Sequence, residues 1–138
     1  MTYRTLLLIF ILSLFHITDS IAQQHKIVFQ FTNGNDTLQQ KAFVKQLQNL
    51  ADHWPDAQFE VVVYNQGLEL LMTQTSRYST ELTELQSKGI HFVVCENTLK
   101  NRKINKEAFI PIVSYVKAGI AEIVEKQEQG WSYIKGGF

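Results

Sequence analysis

The chain has 138 residues, of which 45% are hydrophobic and 19% charged, and its 13 basic and 13 acidic side chains cancel to a formal net charge of zero. This is the composition of an ordinary globular protein, and the length is enough for one domain. Basic residues do not cluster in the sequence, which argues against nucleic acid and anionic membrane surfaces as partners.

The first residues have the pattern of a secretion signal. Arg4 provides one positive charge, and the apolar run 6–15 is too short to span a bilayer as a mature helix. Segment 20–22 then places small residues at the two positions that a signal peptidase reads. We therefore expect a signal peptide over 1–22, a mature domain over 23–138, and export to the periplasm or the medium. The alternative is an uncleaved N-terminal anchor.

The first half of the mature chain alternates strand-like and helix-like segments. It predicts a strand over 26–31, a helix that starts at Thr37 and stops before Pro55, and a second strand over 59–64. The helix start rests on the capping-box spacing of Thr37 and Gln40. The second strand is apolar at nearly every position, which is typical of a strand covered on both faces in a parallel sheet.

The second half continues this alternation. After a turn, a short helix and a polar loop, the predicted elements are a helix over 80–88, a strand over 90–94, a short helix from Asn105, a strand over 113–116, a helix with Ile120, Ile123, Val124 and Gln127 on one face, and a strand over 131–134. Strands and helices in this order indicate a single α/β domain with about five mostly parallel strands and helices on both faces.

Cys95 is the only cysteine, and it lies where the apolar strand gives way to the polar segment 96–102. In open parallel sheets, ligands and chemistry collect at the carboxyl ends of strands. A thiol at a helix N-terminus also meets unpaired N–H groups, which favour the thiolate. Cys95 is therefore a candidate reactive residue, and the alternative interpretation is a small buried side chain. Since it has no partner within the chain, no internal disulfide can form.

Nucleotide and metal sites are not indicated by the sequence. The turn 33–36 follows the first strand but lacks the spacing of either nucleotide-binding glycine motif. His25, His53 and His91 do not fall at metal-ligand spacings, and Cys95 has no second thiol with which to bind a metal. We therefore expect no cofactor and no metal.

Three segments of the mature chain carry a resemblance to a known family. They are 89–99, Gly-Ile-His-Phe-Val-Val-Cys-Glu-Asn-Thr-Leu, the ending 127–135, Gln-Glu-Gln-Gly-Trp-Ser-Tyr-Ile-Lys, and 63–71, where a strand, a glycine turn and an apolar helix follow one another. Together they resemble the DsrE/DsrF-like proteins, in particular their small stand-alone branch. The similarity covers essentially the whole mature chain.

The resemblance implies a flavodoxin-like domain that assembles into trimers or hexamers. In the sulfur-relay members, a cysteine after the third strand accepts and passes on sulfane sulfur as a persulfide, without a metal or an organic cofactor. Cys95 matches that catalytic position. Asn97 and Thr98 match the residues that follow it in the stand-alone branch, and Asn33 is expected at the same edge of the sheet, so these three are candidate binding residues.

Two functional hypotheses remain open, and the sequence does not decide whether the protein is an enzyme. In the first, the exported protein handles sulfane sulfur through a persulfide on Cys95. In the second, it is a non-catalytic oligomeric module that binds a small molecule in a pocket at the carboxyl ends of the strands. Glu96 beside the thiol opposes thiolate formation, whereas Lys100 and Arg102 favour it. Relay members are also cytoplasmic and use partner subunits, unlike a chain with an export pattern.

Large apolar side chains suggest self-association. They occur over 68–72 and near the C-terminus at Trp131, Tyr133 and Phe138. A small domain rarely exposes so many of them singly. We therefore expect a homo-oligomer, and the resemblance implies a trimer or a hexamer.

Overall fold

The structure is a computed model that describes residues 24–138, so the predicted signal peptide lies outside the described residues. The strands are β1 (Lys26–Phe31), β2 (Gln58–Val63), β3 (Ile90–Cys95), β4 (Val113–Val116) and β5 (Ser132–Lys135). The α-helices are α1 (Thr37–His53), α2 (Ser79–Ser87), α3 (Glu96–Arg102) and α4 (Gly119–Glu128), and 3-10 helices cover Asn65–Leu70 and Lys106–Ala108.

The five strands form one parallel sheet in the order β4-β3-β2-β1-β5. From β1 to β4 each new strand is added on the same side, and the chain then returns to place β5 beside β1. Because crossovers between parallel strands are right-handed, this reversal puts α1, α2 and α3 on one face and α4 on the other. The prediction of a single α/β domain with helices on both faces is confirmed.

The hydrophobic core consists of a large cluster on the face of the sheet that α1 covers and a small cluster on the face that α4 covers. Between the sheet and α1, the ring of Phe43 stacks on Phe31 with 4.5 Å between centroids and meets Phe29 edge-on at 5.7 Å. On the α4 face, four buried residues form the smaller cluster: Val28, Val62, Val93 and Ile123. Strand β2 is buried at all but its first residue, as expected for a central strand covered on both faces.

Helix α1 begins where the sequence predicts, but its cap differs. The Asp36 carboxylate accepts from the backbone N–H of Leu38 at 2.8 Å and of Gln39 at 3.4 Å. The predicted capping box of Thr37 and Gln40 is therefore wrong. Gln40 is buried and donates to the carbonyl of Gly34, which the folded loop after β1 places beside it.

The inward face of α4 also differs from the prediction. Ile123 is buried, but Ile120 and Val124 are 65% and 48% exposed. The stripe that faces the sheet is shifted by one residue and contains Glu122 and Lys126. Hydrophobic periodicity misses it because two of its members are charged.

Two further predictions need correction. Leu68, Leu70 and Leu71 are fully buried, so segment 68–72 does not supply the exposed apolar surface expected of it. The helix expected from Asn105 is a 3-10 turn over Lys106–Ala108. Within residues 24–138, no helix has both the length and the apolar character that crossing a membrane requires.

Candidate functional site

The candidate site lies where the chain changes faces of the sheet. After β3 the chain enters α3 on one face, whereas after β4 it enters α4 on the other. Adjacent parallel strands whose connections diverge in this way leave a crevice at their carboxyl ends, where ligands bind in open α/β sheets. Cys95 is the last residue of β3 and pairs with Val116 of β4. The thiol therefore lies at the topological switch point, where the connections of two neighbouring strands leave toward opposite faces of the sheet.

The Cys95 side chain is enclosed by the start of α4. It is 6% exposed, and its Sγ accepts a hydrogen bond from the backbone N–H of Gly119, the first residue of α4, at 3.2 Å. The thiol can donate in turn to the carbonyl of Lys117, whose oxygen lies 4.0 Å from Sγ. The N–H of Asn97 donates to the same carbonyl at 3.2 Å, so the loop before α4 is tied to the start of α3.

The approach of α4 to the thiol requires glycine at position 119. A Cβ at this position would lie 3.2 Å from Cδ1 of Tyr64 and from Cγ1 of Val62, and 3.3 Å from Cβ of Cys95. These distances are shorter than ordinary van der Waals contacts between carbon atoms. A larger residue would require these buried side chains or the first turn of α4 to move by a few tenths of an ångström.

The surroundings of Cys95 lower the pKa of its thiol below the usual value. Burial acts in the opposite sense and raises this pKa, because it disfavours the charged form. The Gly119 N–H that donates to Sγ, together with the neutral polar groups of Thr98 and Asn97, outweighs burial. The structure therefore favours thiolate through neutral donors, several of them at the first turns of α3 and α4.

Two of the charged neighbours that the sequence places beside Cys95, Glu96 and Arg102, are engaged elsewhere. The Glu96 carboxylate pairs with Lys106 at 2.6 Å, and Lys106 lowers the pKa of that carboxyl. Arg102 pairs with Glu69 at 2.6 Å. The competition expected between Glu96 and the nearby cations is therefore not what sets the state of the thiol.

The structure brings two of the three predicted binding residues near Cys95. Thr98 is buried, and Asn97 is exposed and donates its backbone N–H to the carbonyl of Lys117, next to the thiol. Asn33 is exposed in the loop after β1, and β2 lies between that strand and β3. The sequence analysis does not identify Gly119. A glycine at the start of the helix after β4 is nevertheless typical of a place where the backbone comes close to another group.

A cavity of about 400 Å³ lies at the same edge of the sheet, between the loops that follow β1 and β2. Its lining includes Gly34, Gln40, Glu69, Thr75 and Arg77. It is a polar pocket with one basic and one acidic side chain. Among the residues that the structure describes, no group of three or more His, Cys, Asp or Glu side chains is placed to hold a metal ion.

Fold and site together define a class: single-domain α/β proteins with one parallel sheet and a buried cysteine at the switch point. A family model described as DsrE/DsrF-like matches residues 25–135. The chain belongs to the DsrE/DsrF-like family. A comparison with curated proteins found no match.

Two solved structures have a similar fold. A protein of unknown function from Methanobacterium thermoautotrophicum is 28% identical, with a TM-score of 0.75 over 81% of this chain and 99% of its own. A conserved protein of unknown function from Bacteroides thetaiotaomicron is 15% identical, with a TM-score of 0.65 over 80% of this chain and 93% of its own. The second likeness concerns the fold alone.

Proposed function

We propose that the protein handles sulfane sulfur through a persulfide on Cys95. The observation that carries this proposal is the 3.2 Å hydrogen bond from the Gly119 N–H to Sγ. An N–H that donates to sulfur stabilises the anion, and this one opens a helix of ten residues, whose N-terminus adds a favourable dipole. Sulfur transfer requires such a thiolate, because the thiolate and not the thiol is the nucleophile.

The reaction can be written without a cofactor. The Cys95 thiolate attacks the terminal sulfur atom of an inorganic polysulfide and forms a new S–S bond. The S–S bond within the polysulfide breaks, and the shortened polysulfide leaves with the electron pair. Cys95 then carries one sulfane sulfur as a persulfide, and an acceptor thiolate that attacks this outer sulfur regenerates the Cys95 thiolate. No net oxidant is consumed, because the sulfane sulfur is already oxidised relative to sulfide.

Inorganic polysulfide tests this proposal on the folded protein. After brief exposure near neutral pH, intact-mass spectrometry should find one added sulfur atom, and peptide mapping should locate it on Cys95. Cys95→Ser should melt at nearly the same temperature and take up no sulfur, since serine is close in size and cannot form a persulfide. An adduct that forms only after denaturation would overturn the proposal.

The second candidate is a small-molecule-binding module without catalysis. The cavity of about 400 Å³ between the loops after β1 and β2 favours it, because pockets at the carboxyl ends of strands are common ligand sites. The 6% exposure of Cys95 also fits a thiol that only packs. A folded protein whose thiol resists both polysulfide and alkylating reagents would leave this candidate as the function.

We propose that the protein works as a homo-oligomer, in keeping with the family resemblance. Support comes from apolar side chains that the single chain leaves exposed: Ile120, Val124, Tyr133 and Phe138. The first two lie on α4, which covers its face of the sheet alone. Export remains a proposal that rests on the pattern of residues 1–22.

A further inference from the structure

Lysine side chains gather around an open cavity at the end of α3. The cavity has a volume of about 490 Å³ and lies between that helix and the 3-10 turn that follows it. Its lining includes Lys100, Lys103 and Lys106, which are all exposed to solvent. In the sequence these lysines are three residues apart and do not form a basic run. The fold brings them to one cavity.

The acidic side chains of the cavity do not cancel this charge. Two carboxylates, those of Glu96 and Glu107, also belong to its lining. Nζ of Lys106 lies 2.6 Å from Oε1 of Glu96, so these two groups neutralise each other. Among the described residues that line the cavity, two lysines then remain against one glutamate, and the net charge is positive. At physiological ionic strength such a charge acts on solutes over about 8 Å.

The cavity adjoins the segment that carries the thiol. Glu96 lines it and directly follows Cys95, so the two α-carbons are about 3.8 Å apart. The pKa of the Glu96 carboxyl is lowered by Lys106 and, more weakly, by Lys117, so a fourth lysine lies close to the cavity. The carbonyl of Lys117 lies 4.0 Å from Sγ. Because Sγ itself faces Gly119 of α4, the lysines act on an approaching solute through their field and not by contact with the sulfur.

We propose that this cavity binds small anions and selects an anionic sulfur compound, such as inorganic polysulfide, as the donor for Cys95. A positive field raises the local concentration of anions and their rate of encounter. It also offsets the repulsion between a thiolate and an anionic donor. The inference rests on the proposed function, because it names the class of donor for the same thiol. Its alternative is that the lysines only complement the dipole at the carboxyl end of α3.

Anion binding is measured on Cys95→Ser, in which no persulfide can form. Thiosulfate is a stable dianion of the same class, and its titration followed by amide NMR should give saturable shifts centred on residues 96–107. Adding Lys100→Gln and Lys103→Gln should abolish these shifts, because the cavity then loses its net positive charge. Lys26→Gln is the matched control, since Lys26 is exposed and begins β1 at the opposite edge of the sheet. Absent shifts, or shifts that survive the two substitutions in the cavity, would overturn the proposal.

Selection of an anionic donor is measured by alkylating Cys95 with anionic iodoacetate and with neutral iodoacetamide. The ratio of the two rate constants cancels the fraction of thiolate and reports how charge affects the approach to the sulfur. Replacing Lys100 and Lys103 by glutamine should lower this ratio by about two- to fivefold at low salt, the order expected for two screened charges. Added salt should lower the wild-type ratio in the same direction, and Lys26→Gln should leave it unchanged.

The outcomes separate this inference from the proposed function. At a reactive thiol, a ratio that does not respond to the two substitutions overturns the selection of an anionic donor and nothing else. A folded thiol that resists both reagents overturns the proposed function together with this inference. Neither measurement uses sulfur transfer, so a failure of persulfide formation on Cys95 is seen separately.

Discussion

At the scale of single residues, neutral polar groups rather than nearby charges lower the pKa of the Cys95 thiol. The sequence suggests that the N–H groups of a helix N-terminus, Lys100 and Arg102 favour the thiolate, whereas Glu96 opposes it. In the fold, the Gly119 N–H at the start of α4 donates to Sγ, and it lowers the pKa of the thiol together with the neutral polar groups of Thr98 and Asn97. Neutral donors in a buried site act at short range and in fixed directions, so small displacements of the backbone matter more than the number of charges nearby.

Gly119→Ala should therefore raise the pKa of Cys95 without unfolding the protein. The added Cβ meets Tyr64, Val62 and Cys95 at 3.2–3.3 Å, and the start of α4 must move by a few tenths of an ångström to relieve the contact. The N–H then donates less well to Sγ. Overpacking of this kind typically costs about 1–3 kcal/mol of folding free energy. The pH dependence of thiolate absorbance and a urea unfolding curve measure the two effects.

Ile120→Ala is the matched control, because Ile120 is the next residue of α4 and is 65% exposed. It should leave the pKa of Cys95 at the wild-type value. If Gly119→Ala also leaves that pKa unchanged, the hydrogen bond from α4 is not a determinant of thiolate formation.

At the scale of elements, α4 is held to the sheet by charged groups as well as by Ile123. Lys126 Nζ lies 2.7 Å from Oε2 of Glu60 on β2 and 3.6 Å from Oε1 of Glu122, and it also lies 4.6 Å from the centre of the Trp131 ring. Oε1 of Glu60 is buried with no donor among the described residues. Two carboxylates thus share one ammonium, and burial together with Glu60 raises the pKa of Glu122.

This arrangement predicts a pH-dependent stability. The folded-state pKa of Glu122 lies above the ordinary value of 4.5, so the folded chain binds this proton more tightly than the unfolded chain does. The resulting stabilisation is complete below pH 4.5 and is lost as the pH rises through the folded-state pKa. Over that window, the free energy of unfolding of the wild type should fall relative to that of Glu122→Gln, which has no proton to lose.

Urea unfolding at a series of pH values measures the difference between the two proteins. Glu125→Gln, an exposed change on the same helix, should track the wild type. Parallel stability profiles for the wild type and Glu122→Gln would show that Glu122 titrates as it does in the unfolded chain.

At the scale of the whole molecule, the two faces of the sheet are covered unequally. Three helices lie on one face, and α4 lies alone on the other with Ile120 and Val124 turned to solvent. Exposed apolar side chains that neighbour one another mark interaction surfaces. This side of the molecule is therefore where the proposed oligomer would bury its contacts.

Light scattering at micromolar concentration should report a mass several times that of one chain. Substituting Ile120→Lys together with Val124→Lys should reduce this mass, because charged ammonium groups are costly to bury without partners. Leu38→Lys serves as the control, since Leu38 is 64% exposed but lies on α1, on the opposite face. A clean monomer for the wild type would contradict the proposal.

The sequence by itself determined the five strands, the three longer helices and the position of the thiol, whereas it did not identify α3 as a helix and placed a helix where Lys106–Ala108 is a 3-10 turn. Strand β4 was predicted with the bounds observed, and β1 likewise, because buried strands and turn residues leave local patterns within a few residues. The end of an apolar strand also located Cys95. The inward face of α4 also keeps the predicted helical spacing. What hydrophobic periodicity did not identify is that Glu122 and Lys126 belong to this face.

Tertiary structure alone decided what surrounds the thiol. Gly119 lies 24 residues from Cys95, and it reaches the sulfur because β4 pairs with β3 and the chain then crosses to the other face. Asp36 caps α1 and Gln40 turns away because the folded loop after β1 offers a carbonyl to Gln40. Local patterns report a residue's preference for a conformation or for burial. Which distant backbone group meets it depends on strand order, which no short window of sequence contains.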